Sequence, residues 1–163
     1  MISHPIPPVF DRHSKVLILG SFPSVKSREA QFFYGHPQNR FWKVTSKVFD
    51  APEPHTVEEK KEFLLSHGIA VWDVIAACDI TGSSDSSIKN VVPNDMTQIL
   101  DVADIQTIFV NGKTAEKFYK KYIRDSIGRD ALCLPSTSPA NAAWSMELLI
   151  DAWKVIRGCS VTI

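Results

Sequence analysis

Apolar residues follow two alternating patterns along this chain. Short unbroken runs occur at Lys15 to Leu19, Ile69 to Ile75, Ile105 to Val110 and Ala131 to Leu134. They have the composition of strands buried on both faces, and glycine or proline turns close most of them. Between them apolar positions recur at helical spacing. From Asn39 to Phe49 the apolar side is Phe41, Trp42, Thr45 and Val48–Phe49, with Lys43 and Lys47 opposite, which predicts a helix with Asn39 as its N-cap. Thr56 and Glu59 have capping-box spacing for a second helix ending near His67-Gly68. Asn94 or Asp95 caps a short helix through Leu100, and Lys113 to Ile123 predicts a helix with a basic face. A last helix is predicted from near Pro139, capped by Ser138, to Arg157, burying Leu148, Leu149, Ala152, Trp153 and Ile156.

Strands alternating with helices predict an α/β fold: three layers, α/β/α, around a four-stranded parallel sheet. Residues 1–163 read as a single domain in which 1–14 form an extended lead-in, because Pro5, Pro7 and Pro8 forbid a regular helix. Val25 to Phe33 and Asp79 to Val92 read as long loops, the second containing the polar run Thr81-Gly82-Ser83-Ser84-Asp85-Ser86-Ser87.

A 44% hydrophobic composition over 163 residues can bury a full core. Eighteen Lys and Arg balance eighteen Asp and Glu, so any nucleic-acid surface must be local. Cys78, Cys133 and Cys159 are far apart and odd in number, which predicts neither a disulfide framework nor a metal site and suits a reducing, cytoplasmic location. No run approaches the ~18 apolar residues of a membrane span, and the opening residues lack a secretion signal's basic start and apolar run.

The chain has no phosphate-binding glycine fingerprint, no Gly-x-Ser-x-Gly nucleophile and no His-Glu-x-x-His metal helix. Candidate chemistry therefore lies on the strand-end loops. These are Gly20-Ser21-Phe22-Pro23-Ser24, then Tyr34-Gly35-His36-Pro37-Gln38-Asn39-Arg40-Phe41-Trp42-Lys43, then Leu134-Pro135-Ser136-Thr137-Ser138-Pro139-Ala140-Asn141.

In that order these segments resemble the motifs of the uracil-DNA glycosylase superfamily, most of all its hypoxanthine-DNA (deoxyinosine) glycosylase branch. Gly68 to Val74 and Gly82 to Ile88 are also similar to that branch, so the resemblance runs from Lys15 to Trp153. It implies a monofunctional enzyme that flips a deaminated nucleotide out of double-stranded DNA and hydrolyses its glycosidic bond, acting as a monomer without metal or cofactor. Hypoxanthine is the first expected base, with uracil or xanthine next. The catalytic asparagine of the branch falls on Asn39, whose amide can orient a water but not act as a strong base; the same residue could instead serve only as a helix cap.

Gly20 and Ser21 line the first turn, and Phe22, Phe33 and Tyr34 are candidates for stacking on the flipped base. His36 could polarise a base carbonyl, and Asp73 at a strand end could reach the pocket, as could Asp85. Arg40 and Lys43, together with Ser136, Thr137 and Ser138 at a helix start, are candidate phosphate contacts. Pro139 and Asn141 could wedge into the gap left in the duplex. Two departures matter: Phe22 stands where other branches carry a water-holding polar residue, and Leu134 where they carry a histidine or similar group. Asn39 to Lys43 also resembles the mismatch uracil/thymine glycosylases, the first alternative, from which Phe22 is the departure; the lost polar residue leaves a non-catalytic lesion binder, and the zero net charge a hydrolase of small nucleotides or nucleosides, as further alternatives.

Overall fold

The computed structural model describes residues 1–160. A two-residue strand, β1 (Ile2–Ser3), precedes β2 (Val16–Gly20), whose five residues are all buried. Three helices follow: α1 (Val25–Ala30), α2 (Phe41–Val48) and α3 (Val57–Ser66). Next come β3 (Ile69–Asp73), β4 (Ile75–Asp79), β5 (Lys89–Pro93), α4 (Thr97–Leu100) and β6 (Thr107–Asn111). The chain continues through α5 (Lys113–Tyr122), α6 (Arg124–Ile127), β7 (Leu132–Leu134), α7 (Met146–Trp153) and α8 (Val155–Ser160).

The central sheet has the order β3-β2-β6-β7, and every pairing in it is parallel. This is the expected four-stranded parallel sheet. β2 and β3 are buried along their whole length, as strands covered on both faces must be, which explains their unbroken apolar runs. Because the chain leaves β2 toward β3 on one side and later returns to β6 on the other, a crevice opens at the carboxyl ends between β2 and β6. Thr56 and Glu59 make the predicted reciprocal capping box at the start of α3.

Four expectations need correction. First, the run from Ile69 does not continue as one strand to Ile75. Val74 N donates to Gly20 O and Ile75 N to Ser21 O, so the chain bends there, and β4 joins a second, antiparallel sheet of order β1-β4-β5. The expected loop from Asp79 to Val92 thus contains β5, an edge strand, where Pro93 removes no needed donor.

Second, the extended lead-in is integral to the core. Val9 and Val71 exchange backbone hydrogen bonds of 3.0 and 2.9 Å along the free edge of β3, and Ile6 and Val9 are buried. Third, Val25 to Phe33 is not an open loop, since α1 forms there with Ser24 Oγ accepting from Ser27 N.

Fourth, the last helix is broken into three. Pro139–Asn141 make a single 3₁₀ turn, Ser145 caps α7 separately, and α8 follows a break at Lys154. Leu148 is consequently exposed, while Leu149, Trp153 and Ile156 stay buried. Phe41 of α2 meets Trp153 of α7 edge to face at 5.8 Å, and Trp153 Nε1 donates to Pro135 O, which ties the helices to the loop after β7. Among the described residues no helix is long and apolar enough to cross a membrane.

Candidate active site

The carboxyl ends of all four parallel strands open on one cleft of about 980 Å³, with Gly20, Asp73, Asn111 and Leu134 at their ends. Its walls come from the turn after β2, the segment before α2, the polar loop around Ser83–Ser86 and the loop after β7.

Asp73 is the most enclosed charged group there. Its side chain is 6% exposed, and Oδ2 accepts from Nε2 of His4, itself 3% exposed, at 2.7 Å. Ile6 N donates to Nδ1 of His4, which puts the imidazole proton on Nε2 and makes the neutral ring a donor to the carboxylate. Nothing in the sequence marks His4, a single histidine in a proline-rich segment. Gly20 explains itself here: a Cβ on it would stand 2.3 Å from Asp73 Oδ1.

Tyr34 adopts a left-handed backbone (φ 52°), and its ring stacks on Phe41 at 4.0 Å. Its hydroxyl is buried without a hydrogen-bond partner. Burial, and then the neighbouring Asp73 charge, push its pKa well above the usual tyrosine value; Asn111 opposes this only in part. Asn111 is instead committed to Thr137, donating to Oγ1 at 3.0 Å and accepting from N at 3.1 Å.

The three aromatic candidates separate cleanly. Phe33 is buried against Phe32 and His4 and still borders the cleft, and one face of Tyr34 is taken by Phe41. Phe22 is half-buried on the cleft wall, edge-on to His4, with the Arg28 guanidinium 5.7 Å from its ring centre. The same Arg28 donates to Gly82 O, so it holds the polar loop beside Phe22.

Asn39 lines the cleft and is half-buried. Its Oδ1 accepts from Phe41 N at 2.9 Å, so it does satisfy a helix-start donor, although Arg40 occupies the cap position itself. A carbonyl oxygen keeps a second lone pair for a water. His36 also lines the cleft, and its Nδ1 accepts from Gln38 N, which leaves Nε2 as the donor. Asp85 sits in the polar wall, where loss of water raises its carboxyl pKa and Thr114 partly offsets the rise.

Several expected DNA contacts serve the protein itself. Thr137 is fully buried with its side chain and N–H spent on Asn111, so it cannot touch a phosphate in this arrangement. Asn141 Nδ2 donates to Ser136 O, Ser136 Oγ accepts from Ser138 N, and Ser138 Oγ caps the 3₁₀ turn at Ala140. Arg40 N donates to Thr137 O, and its guanidinium donates to the carbonyls of Asn141 and Trp144. It is a clamp between the two segments rather than a free phosphate contact. Lys43 is exposed, Pro139 lies on the cleft wall, and Ser21 gives its carbonyl to Ile75 N. On the rim stands Trp144, 37% exposed, which sequence pattern overlooked because it lies outside every periodic segment.

A family model of the uracil DNA glycosylase superfamily matches residues 7–157. The chain belongs to this superfamily. It is 35% identical over 147 residues to a hypoxanthine DNA glycosylase of Methanosarcina acetivorans, covering 89% of this chain and 92% of that one. A hypoxanthine DNA glycosylase of Methanosarcina barkeri is 31% identical over 137 residues, covering 83% and 85%. A solution NMR structure described as a candidate uracil DNA glycosylase from Methanosarcina acetivorans superposes with a TM-score of 0.79 at 30% identity, over 96% of this chain and 99% of that one. DNA glycosylases, as the Methanosarcina relatives are named, hydrolyse N-glycosyl bonds.

Proposed function

We propose that this superfamily member excises deaminated bases, hypoxanthine first, from double-stranded DNA by hydrolysis of the glycosidic bond. The observation that carries the reading is the convergence of residues from the Gly20–Ser24, Tyr34–Asn39 and Leu134–Asn141 segments on one cleft of about 980 Å³ at the sheet's switch point. The two Methanosarcina relatives named hypoxanthine DNA glycosylases support the choice of base.

Extruding the nucleotide costs a few kcal/mol, least for a mispaired base such as hypoxanthine. Stacking on Phe22 returns about 1–3 kcal/mol. The free lone pair of Asn39 Oδ1 then accepts a hydrogen bond from a water and aims its oxygen at C1′ of the sugar. As the C1′–N9 bond lengthens, its electron pair moves onto the departing purine and positive charge develops at C1′. Donors facing the purine lower this barrier, and His36 Nε2–H is the candidate. Water oxygen bonds to C1′, and its released proton ends on solvent or the purine, leaving an abasic site and free hypoxanthine. Each step uses this chain's own groups and water. Lys43 supplies a phosphate contact beside the cleft, and the protein works as a cytoplasmic monomer.

The test is base release from duplexes carrying one deoxyinosine, uracil or xanthine, read as alkali-labile strand cleavage. The unaltered protein releases hypoxanthine, and Asn39→Ala loses that release by about 100-fold or more, the scale of a positioned catalytic group. Binding of these duplexes with no release of any base would reject the enzyme reading in favour of a lesion binder.

A further inference from the structure

We infer that Arg28 is a positioning residue for the chemical step: its guanidinium backs the Phe22 ring and, through that ring, stabilises the negative charge that collects on the purine as the glycosidic bond breaks. The inference rests on the base-excising reading of the same cleft and adds a cation behind its wall on which the rate depends.

Arg28 lies on α1, which is pinned to the segment carrying His36 and Asn39: the buried Ser27 accepts from Gly35 N at 2.9 Å. Its guanidinium carbon stands over the Phe22 ring, 5.7 Å from the centre, and one terminal nitrogen donates to Gly82 O at 2.7 Å. Nε is buried without a hydrogen-bond partner. Among the described residues no carboxylate pairs with the group, and the adjacent Glu29 pairs with Lys26 at 3.6 Å instead. A half-buried cation with an unspent donor and no counter-ion destabilises the free protein, and such groups persist where function uses them.

The cation is attracted to the negative face of the ring, which fixes Phe22 against the cleft wall. The ring also excludes water, so the charge behind it is screened less than it would be across solvent. A purine stacked on the cleft side of Phe22, about 3.5 Å from it, stands roughly 9 Å from the guanidinium. Before reaction that purine is neutral and gains little from the cation. As C1′–N9 breaks, the electron pair moves onto the purine, which is anionic until it takes up the proton that the attacking water releases. The attraction therefore grows along the reaction, which speeds the chemical step without tightening the binding of intact duplex. A largely developed charge at that separation is worth about tenfold in rate.

Two measurements separate the chemical step from binding: single-turnover release of hypoxanthine from a deoxyinosine duplex, and the Kd of the same duplex carrying 2′-fluoro-deoxyinosine, whose fluorine blocks positive charge at C1′. Arg28→Gln keeps a donor for Gly82 O but not the charge. It is expected to slow release about tenfold while Kd stays within about twofold of the parent's. Arg28→Lys keeps a cation beside the ring and is expected to hold release within about threefold of the parent. In a Phe22→Leu background Arg28→Gln should cost less than about threefold, because the ring that seats the purine against the cation is gone. Thermal midpoints of all variants confirm that each is folded. If Arg28→Gln releases base at the parent's rate, or Arg28→Lys is as slow as Arg28→Gln, the inference fails while the proposed function stands. It fails equally if affinity falls in step with rate and the salt slope of binding drops by about 1, which would make Arg28 a phosphate contact. Should the unaltered protein release no base at all, the proposed function falls and the inference with it.

Discussion

His4 Nε2 meets Asp73 Oδ2 at 2.7 Å across 69 positions of chain, both side chains almost wholly out of solvent. The contact joins the first extended segment to the floor of the cleft, so the lead-in is part of the site's scaffold. The same segment is also fastened by backbone, through the pairing of β1 with β4, at His4 N to Ala76 O and through Val9 to Val71.

Replacing His4 by alanine leaves a buried carboxylate oxygen without its donor. Hydrogen bonds to charged groups contribute about 1.5–3 kcal/mol, and in a chain of this size each kcal/mol moves Tm by about 2–4 °C. Thermal unfolding of His4→Ala should therefore show a midpoint lower by roughly 3–12 °C. The exposed His13→Ala serves as control, with a midpoint within about 1 °C of the parent.

Gly20→Ala is expected to be costly for a different reason. Its φ is ordinary, but the new methyl would stand 2.3 Å from Asp73 Oδ1, and β2 is fixed on both sides by parallel neighbours. The carboxylate must turn away, breaking its bond to His4. Overpacking of this kind costs about 1–3 kcal/mol. Denaturant titration should show that loss, together with base release reduced far beyond the fraction unfolded; unchanged release would show that the carboxylate's position is irrelevant.

The parallel sheet was legible in the sequence because strands covered on both faces must be continuously apolar. The second sheet was not: β4 is Ile-Ala-Ala-Cys-Asp with a mixed burial pattern, and Gly82 and its serine neighbours dominate the segment before β5. The turn after β2, Asn39 and Asp73 could be named through motif resemblance, and the structure brings them to one cleft. His4 could not be, since its partner lies far away in sequence and no periodicity surrounds it. Arg40 and Thr137 read as DNA contacts because sequence shows a cation and a hydroxyl but not the groups they bind: the backbone carbonyls of Asn141 and Trp144 for Arg40, and for Thr137 the Asn111 side-chain amide.

Asn39 has two separable duties. Its Oδ1 holds Phe41 N, a cap whose loss costs about 1 kcal/mol. Asn39→Asp keeps that acceptor and places negative charge at a helix start, where it is favourable. Thermal midpoints should fall by about 2–4 °C for Asn39→Ala and hold for Asn39→Asp. Base release should be lost in the alanine variant and largely kept in the aspartate one. Equal release by Asn39→Ala and the parent would reduce the residue to a cap.

Alkali should destabilise the fold in a defined window. Burial raises the Tyr119 pKa from 10.0 to about 12, with its hydroxyl donating to Arg129 O at 2.7 Å, and Tyr34 is raised further. Because the folded values exceed the unfolded one, the stabilisation is complete below pH 10 and is lost as pH climbs from there through the folded values. Denaturant midpoints measured from about pH 9 to about pH 12 should be flat at first and then decline. Tyr119→Phe should flatten part of that decline.

Arg40 and Lys43 lie three residues apart, and salt dependence distinguishes their tasks. A lysine on a phosphate releases counterions, so Lys43→Ala should lower the slope of log affinity against log salt by about 1 and weaken all duplexes alike. Arg40 spends its donors on Asn141 O, Trp144 O and Thr137 O, and so acts by holding the rim. Arg40→Ala should weaken binding and base release while leaving that slope near the parent's, because no phosphate partner is lost. Lysine cannot span two carbonyls in a fork, so Arg40→Lys should behave like the alanine variant despite its retained charge. Titrations of a fluorescent deoxyinosine duplex at several salt concentrations measure both slopes, and a slope reduced equally by Arg40→Ala would return Arg40 to the phosphate backbone.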